Sequence, residues 1–111
     1  MTEEEFKQAF IRLCRIRRGM IGRCTDANQH NYKYYGQRGI SVCSEWTNDF
    51  LSFFKWAIEH GYSSDLSIDR INNDGNYEPD NCRWATILQQ NRNQGPRRLS
   101  KKLLELIGQE I

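Results

Sequence analysis

The sequence predicts a small α+β domain that has a hairpin-helix core and flanking helices at its N- and C-terminal ends. Its 111 residues suit a single domain. Apolar residues recur at helical spacing near both ends, whereas the pattern over residues 66–94 indicates a strand, a polar loop, a second strand and a helix. We therefore expect a basic N-terminal helix at 1–24, a core at 25–94 and an amphipathic C-terminal helix at 95–111.

The first helix is predicted to begin after Thr2, because Thr2 and Glu5 have the spacing of a capping box. Gly22 is expected to end the helix near residues 21–24. Its core side carries an apolar stripe at helical spacing: Phe6, Ala9, Phe10, Leu13, Ile16 and Met20.

Residues 25–61 are expected to combine turns, a candidate strand at 40–43 and a second helix. Tyrosines and basic residues alternate at 32–39, which suits either an aromatic-anchored turn, the interpretation that we favour, or a loop that stacks on nucleic-acid bases. The second helix is predicted over 48–60, with Asn48 as its cap and Gly61 at the left-handed position after its end.

The central hairpin is predicted from a strand at 66–70, a turn-rich loop at 72–76 and a returning strand at 82–84. Thr86 and Gln89 form a second capping box, which opens the next helix. Gly95 and Pro96 are expected to end that helix.

A last helix is predicted beyond Pro96, with Ser100 as its cap. Leu103, Leu106 and Ile107 would form its apolar face. This face is expected either to fold back on the core or to contact a partner protein.

The formal net charge of +2 hides a segregated pattern. Residues 1–24 hold six basic and three acidic side chains, for a net charge of +3. Residues 25–82 hold four basic and nine acidic side chains (−5), and residues 83–111 hold six basic and two acidic side chains (+4). Two basic arms around an acidic middle suit phosphate contacts and a carboxylate for a metal, which favours DNA as the partner. No apolar run approaches the ~20 residues of a membrane span, so we expect a cytoplasmic protein with no membrane partner.

The cysteines at positions 14, 24, 43 and 82 are 10, 19 and 39 residues apart. No pair has the short spacing of a zinc knuckle or ribbon, and no segment resembles a signal peptide. Buried free thiols are therefore favoured over disulfides and over a four-cysteine zinc site.

Residues 68–93 carry a motif that resembles the HNH endonucleases: Ile68-Asp-Arg-Ile-Asn, then Asn81-Cys-Arg-Trp-Ala-Thr, then Asn91-Arg-Asn. The positions of Asp69, Asn81 and Asn91 are 12 and 10 residues apart, which fits that family. A larger block over about residues 10–94 is similar to small phage and prophage proteins of the HNH-like group. The resemblance implies a ββα-metal fold for the core at 25–94 and a bacterial host cell.

The resemblance also implies a catalytic set, namely Asp69, Arg70, Asn81 and Asn91. Asp69 and Asn91 would hold one divalent metal, Mg²⁺ or Mn²⁺ rather than zinc, and Asn81 would brace the loop. The family has a water-activating His directly after the Asp, whereas this chain has Arg70. Arginine stays protonated and cannot act as a general base, so Arg70 would instead clamp the scissile phosphate.

The first functional expectation is a phage-type DNA-binding protein that, if active, is a metal-dependent nicking endonuclease with a degenerate site. Its candidate phosphate contacts are Arg15, Arg18, Arg38, Arg83, Arg92, Arg97 and Arg98. An alternative is a catalytically inactive HNH-like protein that binds and inhibits or regulates a host or phage protein through its C-terminal helix. A second alternative is a sequence-specific DNA-binding module that contacts adenine edges with Gln89, Gln90, Asn91 and Asn93.

Overall fold

We describe residues 1–94 of the chain in a computed structural model. Helix α1 (Glu3–Thr25) begins where the capping box predicts, with the amide of Glu5 donating to Thr2 Oγ1 over 3.1 Å and the amide of Thr2 donating to Glu5 Oε1 over 3.3 Å. The helix buries Ala9, Leu13 and Met20 of the predicted stripe. The N-terminal helix and its cap are therefore confirmed.

The helix predicted over 48–60 is present but begins two residues later than expected, and a short helix that was not predicted precedes it. Helix α2 (Ser44–Asn48) ends before Asp49, whose extended backbone opens helix α3 (Phe50–Glu59). The cap is Asp49 and not Asn48, because the Asp49 carboxylate accepts the backbone amide of Leu51 over 3.0 Å. Gly61 has a φ of +86°, as predicted for the position that follows the end of this helix.

Strands β1 (Ser67–Arg70) and β2 (Cys82–Ala85) form a two-stranded antiparallel sheet. Helix α4 (Ile87–Gln94) follows at once, and the amide of Gln89 donates to Thr86 Oγ1 over 3.2 Å. The predicted order of strand, loop, strand and capped helix is thus confirmed. Residues 40–43 do not form a strand, since they contribute a single isolated bridge between Val42 and Tyr77.

One buried cluster joins the helices to the hairpin. Trp46 of α2 lies 4.8 Å from Trp56 of α3 between ring centroids, and Trp56 lies 5.9 Å from Trp84 of β2. Leu13 and Met20 of α1 belong to the same cluster. The described residues therefore share one core of the α+β class, and among them no helix is long and apolar enough to cross a membrane. The predicted C-terminal helix at 95–111 lies outside the described residues.

Candidate functional site

Asp69 and Arg70 occupy the end of β1, where both side chains are buried: the two residues are 7% and 4% exposed. The strand register sets Asp69 opposite Arg83 of β2. Arg83 Nε accordingly donates to Asp69 Oδ2 over 3.1 Å. The carboxylate that the resemblance assigns to a metal is therefore engaged by an arginine.

The Arg70 guanidinium binds the loop that connects the two strands. It donates to the carbonyl oxygens of Asn73 and Gly75, over 2.7 and 2.8 Å. Its central carbon also lies 5.1 Å from the ring centroid of Tyr35 and 5.2 Å from that of Tyr77. A planar guanidinium suits these contacts because its edge can bond carbonyls while its face contacts aromatic rings.

A second arginine, Arg23 on the last turns of α1, contacts the same two tyrosines. Its guanidinium carbon lies 5.2 Å from the Tyr35 centroid and 5.7 Å from the Tyr77 centroid, and its Nη2 donates to the Tyr77 hydroxyl over 3.1 Å. Burial raises the pKa of Tyr77 to about 12, so the phenol is neutral at pH 7 and does not offset either arginine. Arg23 was not among the predicted site residues.

These side chains surround a cavity of about 190 Å³ at the junction of α1, β1 and α4. Two of its lining residues carry buried side-chain donors that have no hydrogen-bond partner among the described residues, the Nε of Arg23 and the Nε2 of Gln90. Among the described residues, the lining consists of Arg23, Tyr35, Ile68, Asp69, Arg70, Asn73, Tyr77 and Gln90.

Asn81 ties the ends of the connecting loop together. Its Oδ1 accepts the backbone amide of Asn72 over 2.9 Å, and its Nδ2 donates to the carbonyls of Asn72 and Asn76 over 3.1 and 2.8 Å. This geometry is that of the loop brace that the resemblance implies for Asn81, and it makes Asn81 a structural residue.

The donor set does not suit a divalent cation. Mg²⁺ and Mn²⁺ take about six oxygen ligands, several from carboxylates or water. Asp69 is engaged by Arg83 and shares the cavity with Arg23 and Arg70, whose charges oppose a cation. Asn91 is half-buried on α4 and does not line this cavity. Within residues 1–94 no group of three or more His, Cys, Asp or Glu side chains is arranged to hold a metal.

The two histidines lie elsewhere in the described fold. His60 stacks on Trp56 at 5.0 Å between centroids, and its Nδ1 lies 2.8 Å from the Trp56 carbonyl oxygen. His30 is exposed in the loop after α1. Neither histidine lines the cavity.

The candidate phosphate contacts fall into three groups. Arg15, Arg18 and Arg92 are exposed to solvent on α1 and α4. Arg38 instead bonds Asp74 at 2.5 Å, and Arg83 bonds Asp69. The remaining two, Arg97 and Arg98, lie outside the described residues.

The candidate adenine-reading side chains are also divided. Gln89 caps α4, since its Oε1 accepts the backbone amide of Thr86 over 2.8 Å, and Gln90 lines the cavity. The side-chain oxygen of Gln89 is thus used in the cap, although the residue itself is exposed. Of the other two, Asn91 is half-buried and the side chain of Asn93 lies outside the description.

All four cysteines are free thiols. Cys82 is buried on β2, and its burial raises the thiol pKa to about 12. Burial also raises the pKa of Cys24 and Cys43 above the usual thiol value. Cys82 is therefore a buried packing group, as predicted, whereas Cys14, Cys24 and Cys43 are only partly buried.

Comparisons with protein-family models, with curated proteins and with solved structures found no match to this chain. The resemblance to the HNH-like group therefore stays a prediction from the sequence motif.

Proposed function

We propose that this chain is a nucleic-acid-binding protein of the HNH-like type, in which the positions that would carry hydrolysis serve the fold. The observation that carries the proposal is the pair of guanidinium groups, Arg23 and Arg70, that lines the cavity at the hairpin-helix unit. The carboxylate in this lining, Asp69, is offset by Arg83. This excess of positive charge suits phosphate groups.

Further exposed arginines lie on two helices. Arg15 and Arg18 are three residues apart on α1 and so share one side of it. Arg92 is exposed on α4. These arginines add positive charge that suits a polyanion such as DNA, in addition to the two arginines that line the cavity.

The contacts of Arg70 support binding without hydrolysis. Arg70 stands where the resembling family has its proton acceptor, and it bonds two loop carbonyls. Losing the general base costs ~10²–10⁴ in rate. The poor fit of Asp69 to a divalent cation removes the other route to an activated water molecule.

The test is the affinity for a short duplex DNA over a range of salt concentrations. For B-DNA the logarithm of the affinity falls with the logarithm of salt by about 0.9 for each neutralised phosphate. We expect a steep slope for the wild type, and a slope shallower by about 2 for the double variant R15Q/R18Q. Lys55→Gln, on the exposed side of α3, is the matched control and should leave the slope unchanged. A flat wild-type slope would contradict the proposal and favour a protein partner.

A further inference from the structure

The cavity at the junction of α1, β1 and α4 is built more like a ligand site than like a packing defect. Its lining includes a charged side chain that is only 4% exposed, Arg70, and the two buried donors without partners on Arg23 and Gln90. A buried donor that is left without an acceptor destabilises the fold, and more so when it belongs to a charged group. Two such donors at one cavity indicate that an acceptor belongs there.

The charges of the lining select the sign of that acceptor. Arg23 and Arg70 are cationic, Asp69 is anionic, and Arg83 bonds the Asp69 carboxylate from outside the cavity. The neutral phenol of Tyr77 already accepts from Arg23, which leaves its own hydrogen to donate. The lining thus offers mostly donors and a net positive charge, which suits an anion.

The size of the cavity selects a small anion. Pockets for drug-sized ligands measure about 300–1,000 Å³, and a water molecule takes roughly 30 Å³. A volume of about 190 Å³ admits a tetrahedral oxyanion together with a few water molecules and is small for a nucleoside. A single phosphoryl group fits both this size and the bidentate preference of guanidinium groups.

We infer that this cavity binds one phosphoryl oxyanion directly, held by Arg23, Arg70 and Gln90 and without a bridging metal. The phosphoryl group can come from two sources, a phosphate of a nucleic-acid backbone or a free phosphate. A nucleic-acid phosphate at this site rests on the proposed function and would define where one phosphate of the bound DNA lies. A free phosphate at this site does not depend on the proposed function.

The experiment is a titration of the full chain with inorganic phosphate in the presence of EDTA, followed by ¹⁵N-resolved NMR. Sodium chloride at equal ionic strength is the reference. The side-chain signals of Arg23 Nε–H and of the Gln90 amide group are expected to shift saturably with phosphate. Gln90→Leu and Arg23→Lys should each weaken binding about tenfold, because each removes one donor to an anion.

The matched control is Gln37→Leu, an exposed glutamine in the turn Gly36–Arg38. It should leave the phosphate affinity unchanged. Phosphate shifts that equal those of chloride, or an affinity that is unaffected by both Gln90→Leu and Arg23→Lys, would overturn the inference. Arg23→Lys keeps the charge, and Gln90→Leu removes an Nε2 donor that has no hydrogen-bond partner among residues 1–94, so both variants are expected to fold.

A competition arm identifies the source of the phosphoryl group. Displacement of bound duplex DNA by phosphate supports the site and assigns it to the nucleic-acid backbone, whereas binding of phosphate beside DNA supports the site and assigns it to a free phosphate. Phosphate binding without any DNA binding would sustain this inference and contradict the proposed function. DNA binding without phosphate binding would contradict this inference and sustain the proposed function.

Discussion

At the scale of single residues, Arg70 holds the loop that connects the two strands. It bonds the carbonyls of Asn73 and Gly75 and contacts the rings of Tyr35 and Tyr77. The motif spacing predicts its place on the strand, and the permanent charge of an arginine excludes it as a general base. Its contact with Tyr35 could not be predicted, because the two residues are far apart in the sequence.

Arg70→Met keeps most of the side-chain volume and removes the charged donors. We expect the free energy of unfolding to fall by about 3 kcal/mol, since two buried carbonyls lose hydrogen bonds to a charged group. Urea denaturation measures this change. Arg18→Met, at an exposed position on α1, is the control and should stay within about 0.5 kcal/mol of the wild type. Equal losses for the two variants would show that Arg70 does not hold the loop.

Substitution of Asn81 is expected to destabilise the fold, because its side chain makes three hydrogen bonds. Asn81→Ala should lower the free energy of unfolding by about 2–3 kcal/mol, at about 1 kcal/mol for each bond. Asn81→Asp should lose as much, because its carboxylate would face two carbonyl oxygens. Chemical denaturation checks both, with the exposed Asn28→Ala as the control. A stable Asn81→Asp variant would contradict the observed orientation of the amide.

At the scale of elements, sequence signals that span a few residues predicted helix starts correctly. Contacts between residues far apart in the sequence could not be predicted in this way. The capping boxes at Thr2 and Thr86 fixed the starts of α1 and α4, because each involves residues three apart. Helix α2 was not predicted, and α3 begins two residues later than expected because its cap is Asp49 and not Asn48. The cavity was missed as well, because Arg23 and Gln90 come together only through the packing of α1 against the hairpin-helix unit.

The turn at Gly36 gives an element-scale prediction. A Cβ at this position would lie 2.2 Å from Tyr32 Cε2 and 2.3 Å from the carbonyl oxygen of Cys24, at the end of α1. Gly36→Ala should therefore cost about 3 kcal/mol, because backbone has to move. Gly39→Ala is the comparison: its φ of +86° strains an alanine by about 1 kcal/mol, but no atom lies within 4 Å of the added Cβ. The melting temperature of Gly36→Ala should be lower than that of Gly39→Ala. The opposite order would contradict the close packing around Gly36.

At the scale of the whole molecule, the described residues form one core, and its buried acids set a limit on alkaline stability. The pKa values of Cys82 and Tyr77 rise to about 12 in the folded state, against usual values of 9.0 and 10.0. Between about pH 9 and 12 the unfolded chain releases protons that the folded chain keeps. Stability is therefore lost as the pH rises through this window and is unaffected by these groups below it.

Cys82→Ala tests this pH dependence. From pH 9 to 11 the wild type should lose about 2 kcal/mol more stability than the variant, because one pKa unit corresponds to 1.36 kcal/mol. Urea denaturation at several pH values measures the change in the free energy of unfolding with pH for each protein. The packing that the variant loses is the same at every pH, so it does not affect this change. Parallel pH profiles would show that the Cys82 thiol titrates normally in the folded protein.

The central claim is that this molecule binds nucleic acid through a hairpin-helix unit whose catalytic positions serve the fold. The most direct measurement is the conversion of supercoiled plasmid to nicked or linear DNA, with Mg²⁺ or Mn²⁺, at a salt concentration where the wild type binds DNA. Wild type, Asp69→Ala and Arg70→His are compared. We expect all three proteins to leave the same small fraction of nicked or linear plasmid, because Arg70 bonds the loop and Arg83 engages Asp69. Nicking by the wild type that Asp69→Ala abolishes, or nicking that appears in Arg70→His, would contradict it.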